Sequence, residues 1–173
     1  MGKYLKCSLE TVLADFEAGD FVRVEASCRT LLDIAPNNSD IYQLLGASLL
    51  KLDRIEEAIE ALRYATELAP EDGEAFANLG TAFEFQGDFI SAASAYCKAL
   101  DLGETAAEIR YGAAVTSRFS GKPDVAVELI EAFAEEHKDN LEIWHLLAVC
   151  RMESGDVVGA ATAFEHLLKT EQN

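Results

Sequence analysis

Positive charge is what this chain has least of. Its 14 Lys and Arg stand against 31 Asp and Glu, a formal net charge of −17. Phosphate backbones are gripped largely by Lys and Arg, so the deficit argues against nucleic acid as a partner and equally against an anionic membrane surface. Long apolar runs are missing as well, since a stretch such as Leu44 to Leu50 falls far short of the ~18 residues that cross a bilayer. The opening residues Met1-Gly2-Lys3-Tyr4-Leu5-Lys6 lack the apolar core of a secretory leader. Lys6 also stands where a myristoylation signal needs Ser or Thr. These absences lead us to expect a soluble, cytoplasmic protein with neither membrane insertion nor a nucleic-acid partner.

Cysteine is sparse and scattered: Cys7, Cys28, Cys97 and Cys150 form no C-x-x-C pair. A metal or a redox disulfide needs close pairs, so the expectation is four reduced thiols behaving as small apolar side chains. Asn37-Asn38-Ser39 matches a glycosylation acceptor but reads as a turn in a chain with no secretory route. Catalytic constellations are equally scarce. Glu142 and His145 stand at i, i+3 on a helical stretch without the further carboxylates of a di-metal site. Gly121-Lys122-Pro123 resembles the end of a phosphate loop, yet Thr116 replaces its first glycine and Pro123 the Mg²⁺-binding hydroxyl. No Ser or Cys sits in a nucleophile motif. We therefore expect no enzyme, no metal and no cofactor.

What the chain does have is a core and a rhythm. Half of its residues are apolar and 26% charged, enough to bury roughly 70% of the unfolded surface. Turn-like pairs recur at Gly19-Asp20, Asp53-Arg54, Gly87-Asp88, Gly121-Lys122 and Gly155-Asp156, each 34 residues after the last. Five residues into each period stands a small or branched apolar residue: Val24, Ala58, Ala92, Ala126, Ala160. Four further on stand Leu62, Tyr96, Ile130 and Phe164, with Cys28 the exception. Between the turns the pattern is helical. Tyr42, Leu45, Gly46 and Leu49 form one stripe, Ala58, Leu62 and Ala65 a second, and no alternation of β-branched residues is sustained. Asn37-Asn38-Ser39-Asp40 and Glu71-Asp72-Gly73-Glu74 supply breaks and caps.

These residues resemble the tetratricopeptide repeat, a 34-residue helix–turn–helix with the pattern W-x2-L-G-x2-Y…A-x3-F…P. The second unit reads Tyr42-x2-Leu45-Gly46-x2-Leu49, Ala58-x3-Leu62, Pro70. The third reads Phe76-x2-Leu79-Gly80-x2-Phe83, Ala92-x3-Tyr96, and the fifth Trp144-x2-Leu147-Ala148, Ala160-x3-Phe164. The first and fourth match mainly in their second helices; their first helices carry Ser8, Thr11 and Asp15, and Arg110, Ala113, Ala114 and Ser117. The resemblance implies an all-α, right-handed superhelical solenoid over 1–173, with units of approximately 5–38, 39–72, 73–106, 107–140 and 141–173. Gly46, Gly80, Ala114 and Ala148 in first helices would then admit the facing helix closely, as would the small residues of the second helices.

In this family the first helix of each unit lines a concave groove. Turning 100° per residue from the packing stripe brings Leu44, Ala47 and Leu50 to that face, followed by Asn78, Thr81 and Phe85. Tyr111, Val115 and Phe119, then Leu146 and Met152, continue it. The set is unusually apolar for a solvated surface, as binding sites are. A family pocket that clamps a partner's terminal carboxylate uses Lys, Asn and Arg. Here only Asn78 stands at such a place, with Gln43 and Glu74 at basic ones, so that function does not carry over.

The expected role is thus a non-enzymatic protein–protein scaffold or adaptor that takes an apolar or amphipathic partner segment in its groove. Two alternatives stay open: a dedicated secretion-type chaperone for an apolar client, and an accessory interaction domain of a longer enzyme. Finally, Val157 to Lys169 makes a poor terminal cap, with only Glu165 and Lys169 charged. Val158, Ala161 and Leu168 would be left on its outer edge, an arrangement that suits capping by a second copy of the chain.

Overall fold

A computed structural model describes the backbone of residues 2–170 and the side chains of residues 9–170. Cys7 and Ser8, named above, lie outside the described side chains. The described residues form ten α-helices and no strand: α1 (Gly2–Glu17), α2 (Phe21–Ile34), α3 (Ser39–Lys51), α4 (Ile55–Leu68), α5 (Gly73–Gln86), α6 (Phe89–Asp101), α7 (Ala107–Phe119), α8 (Pro123–Glu136), α9 (Leu141–Ser154) and α10 (Val157–Thr170). The chain divides into two compact units, 1–87 and 88–173.

The helices start and stop for local reasons. Asp20, Asn38, Asp72, Asp88 and Asn140 each accept a backbone N–H from the first turn of the following helix. For Asn38 the donor is Ile41 N at 3.1 Å. α8 has no such side-chain cap and instead opens on Pro123, whose fixed φ suits a first turn. Four of the five recurrent turns are left-handed at glycine: Gly19, Gly87, Gly121 and Gly155, with φ of 79°, 81°, 79° and 89°. The fifth places Asp53 in the same region at φ 60°.

In the first unit each helix packs on the next, and the first helices also meet, α1 against α3 and α3 against α5. Val12, Val24, Cys28, Leu31, Ile41, Leu45 and Leu49 form its core with Ala58 and Ala61. A Cβ added at Gly46 would lie 2.5 Å from Leu62 Cγ, the close approach expected of a small residue at that position.

In the second unit α6 to α10 again pack in sequence, with α7 also against α9. Ile130, Phe133, Ile143, Trp144, Leu147 and Cys150 anchor its core. Arg110, Ala113, Ala114 and Ser117 replace the usual large residues of a first helix, yet α7 forms, and Ala113, Ala114 and Ser117 are buried. Tyr96 compensates from α6: its ring lies 3.0 Å from where a Cβ on Gly112 would sit. Gly112, which the helical wheel puts on the groove side, is therefore a packing glycine. The buried Thr116 hydroxyl donates to Gly112 O at 2.6 Å, so no polar group is stranded there.

Candidate protein-binding faces

The first helices present the expected residues to very different degrees. In the first unit Phe85 is 67% exposed on α5. Leu44, Ala47 and Leu50 on α3, and Asn78 and Thr81 on α5, are half-buried. Leu44 and Leu50 lean on the core beside Ile41 and Leu45, and the Thr81 hydroxyl donates to Ala77 O at 3.1 Å. Gln43 Nε2 donates to Asp72 Oδ2 at 2.6 Å, which ties α3 to the N-cap of α5. The residue at this clamp-like place is thus a structural strut.

In the second unit Phe119 and Met152 are 56% and 55% exposed, and Tyr111 and Val115 half-buried. Leu146 is a correction. At 6% exposed it belongs to the core beside Trp144 and Leu147 and offers nothing to a partner. α9 is packed by α7, α8 and α10 at once, so its apolar stripe widens around most of the helix.

One charge pair bridges two of these helices. Arg118 grips Glu153 with two bonds, Nε to Oε2 at 2.8 Å and Nη2 to Oε1 at 2.6 Å, joining α7 to α9. That bond holds the Glu153 carboxyl below the ordinary carboxylate range and pushes Arg118 up. The Arg118 guanidinium lies 5.0 Å from the Phe119 ring, which stacks on Phe89 at 4.9 Å. An aromatic–cation–carboxylate patch results in which the one positive and one negative charge offset each other.

A second ionic cluster braces α2 against α4 in the first unit. Arg54 donates to Glu25 at 2.7 Å and to Glu57 at 2.6 Å, while Arg29 donates to the same two carboxylates at 3.0 Å each. Burial alone pushes Glu25 up, but the hydrogen bonds and charges of Arg54 and Arg29 outweigh it and hold the carboxyl low. Glu57 is held low chiefly by its bond to Arg54. The pairs between helices, Arg29–Glu57, Arg54–Glu25 and Arg118–Glu153, escape helical-wheel reasoning, which compares residues within one helix. Their signal is an opposite charge 28, 29 or 35 residues away, close to one repeat period.

At the C-terminal edge Val158 is 79% and Leu168 59% exposed, with Ala161 exposed between them. Among the described residues no cluster of three or more His, Cys, Asp or Glu could hold a metal ion. None of the described helices is long and apolar enough to cross a membrane.

Comparison with known proteins agrees with this geometry. The tetratricopeptide repeat sequence profile matches residues 15–82 and 119–173, and a second profile of the same description matches 73–103. The Hsp70-Hsp90 organizing protein of Triticum aestivum is 29% identical over 110 residues, covering 64% of this chain and 19% of that protein. Superkiller complex protein 3 of Homo sapiens is 25% identical over 160 residues, covering 88% of this chain and 9% of that one. The chain thus spans a small fraction of these relatives. Among solved structures, MamA superposes with a TM-score of 0.84 at 22% identity, covering 99% of this chain and 94% of MamA. YrrB, described as a TPR protein with an unusual peptide-binding site, gives 0.85 at 16% identity, covering 96% and 86%.

Proposed function

The chain belongs to the tetratricopeptide repeat family, and from that premise we propose that its first-helix faces bind an apolar or amphipathic segment of a partner protein. Proteins of this family are generally non-catalytic interaction scaffolds that bind proteins or peptides. One observation carries the finer reading: Phe85, Phe119 and Met152, three large apolar side chains, are each more than half exposed on first helices. Phe and Met are enriched at the cores of protein interfaces relative to the rest of the surface. The cation beside Phe119, Arg118, is already held by Glu153, which disfavours recognition by charge there.

Selection of binders from a random peptide library against the intact chain tests this. Recovered sequences should be rich in Leu, Ile, Phe or Trp at helical or alternating spacing. Phe85→Ala and Tyr111→Ala should weaken the best of them by ~1–3 kcal/mol if either is a central anchor. Sequences that bind through charge alone, lose affinity between low and physiological salt and ignore both substitutions would refute the proposal.

The same faces would serve a chaperone for an apolar client. Amide exchange of a bound segment separates the readings, since a client held unfolded stays unprotected beyond its contact residues. For the C-terminal edge we propose that a second copy of the chain covers Val158, Ala161 and Leu168.

A further inference from the structure

α3 also borders a cleft on its other side. At 100° per residue, Tyr42, Leu45 and Leu49 point about 170° away from Leu44, Ala47 and Leu50. They form part of an open cleft of about 350 Å³ enclosed by α2, α3 and α4, wholly within the first unit. Its floor is apolar, with Leu45 and Leu49 at 5% and 1% exposure. Its wall is aromatic: Tyr42 and Tyr64 stack with centroids 5.4 Å apart and planes 27° from parallel. Tyr64 keeps 48% of its surface open to solvent. Asp33 and Glu60 stand at the rim of the same cleft, both exposed and neither in an ion pair with any described residue. Arg29 also reaches the cleft. Its guanidinium is held by Glu25 and Glu57, not by Asp33 or Glu60.

An open tyrosine face beside two unpaired carboxylates over an apolar floor has a specific complement. A guanidinium is planar and weakly hydrated, stacks on aromatic faces and pairs with carboxylates. An ammonium is more strongly hydrated and a neutral apolar group would leave both charges unanswered. We propose that this cleft binds an arginine-bearing basic segment of a partner protein. The guanidinium lies on Tyr64 within reach of Asp33 and Glu60, and a neighbouring apolar side chain settles against the half-buried Leu32 and Tyr42. The formal charge of −17 draws such a segment in, and the cleft gives it a defined seat. This site is separate from the first-helix faces and does not depend on their function.

The probe is a synthetic twelve-residue peptide alternating arginine and leucine, titrated into the intact chain by calorimetry at physiological ionic strength. Affinity should fall at least tenfold in an Asp33→Asn, Glu60→Gln double variant and at least fivefold in Tyr64→Leu. A Glu135→Gln, Glu136→Gln variant, which removes two charges from the exposed face of α8, should bind as the parent does. No binding by the parent, equal loss from both charge-neutralised variants, or full retention in Tyr64→Leu would each overturn the assignment. A parent dimer abolished by the same cleft substitutions would give the cleft to a second copy of the chain and overturn it too.

Discussion

At Asp53 the backbone adopts φ 60°, where four equivalent turns use glycine. A side chain in the left-handed region is strained, although aspartate tolerates it better than most. Asp53→Gly should raise stability by about 0.5–1 kcal/mol, after allowing for the extra freedom glycine gains when unfolded. The urea midpoint measures this directly. Gly46→Ala should act oppositely: its Cβ would press on the fully buried Leu62, and such overpacking costs about 1–3 kcal/mol. The cysteines carry a chemical prediction. Burial pushes the Cys28 thiol up to about 12 and Cys150 up to about 11. At pH 8 the native chain should therefore react with iodoacetamide at neither residue on a timescale that labels both in urea.

Among the elements, the ionic brace between α2 and α4 should be visible as pH dependence. Glu25 and Glu57 titrate below their ordinary value of 4.5 in the folded chain. Their stabilisation is thus complete above that value and disappears as pH falls through the lowered folded values. Arg54→Gln should flatten the acid limb of a stability-against-pH curve while changing little at neutrality beyond the loss of partly exposed pairs. A variant with an acid limb as steep as the parent's would show that other carboxylates govern it. The helices themselves were legible in the sequence because turn, cap and small-residue signals are local and repeat with one period. Gly19, Gly87, Gly121 and Gly155 mark turns by a backbone requirement that any reader of the sequence can apply. The binding faces were less legible because a helical wheel treats each helix as though one side packs and the other is free. Leu146 is buried because α9 has three helical neighbours, and Gly112 is buried because Tyr96 reaches across from α6. Neither neighbour can be inferred from the wheel of the helix concerned.

For the whole molecule, the exposed edge of α10 determines the expected assembly. If a second copy covers it, light scattering at micromolar concentration gives a dimer, and Leu168→Glu shifts the population towards monomer. A monomeric parent whose Leu168→Glu variant is equally stable and soluble would exclude that contact. The chain also has a single tryptophan. Trp144 is 4% exposed in the core of the second unit and stacks on His166 with centroids 3.9 Å apart. Its emission should be blue-shifted when folded, move to the red as the second unit opens, and report nothing directly from residues 1–87. Far-ultraviolet circular dichroism weighs the helices of both units together. A substitution in the first unit, such as Asp53→Gly, will move the tryptophan emission midpoint only as far as the two units unfold in one step. The lone tryptophan, excited selectively over the tyrosines, thus measures their cooperativity.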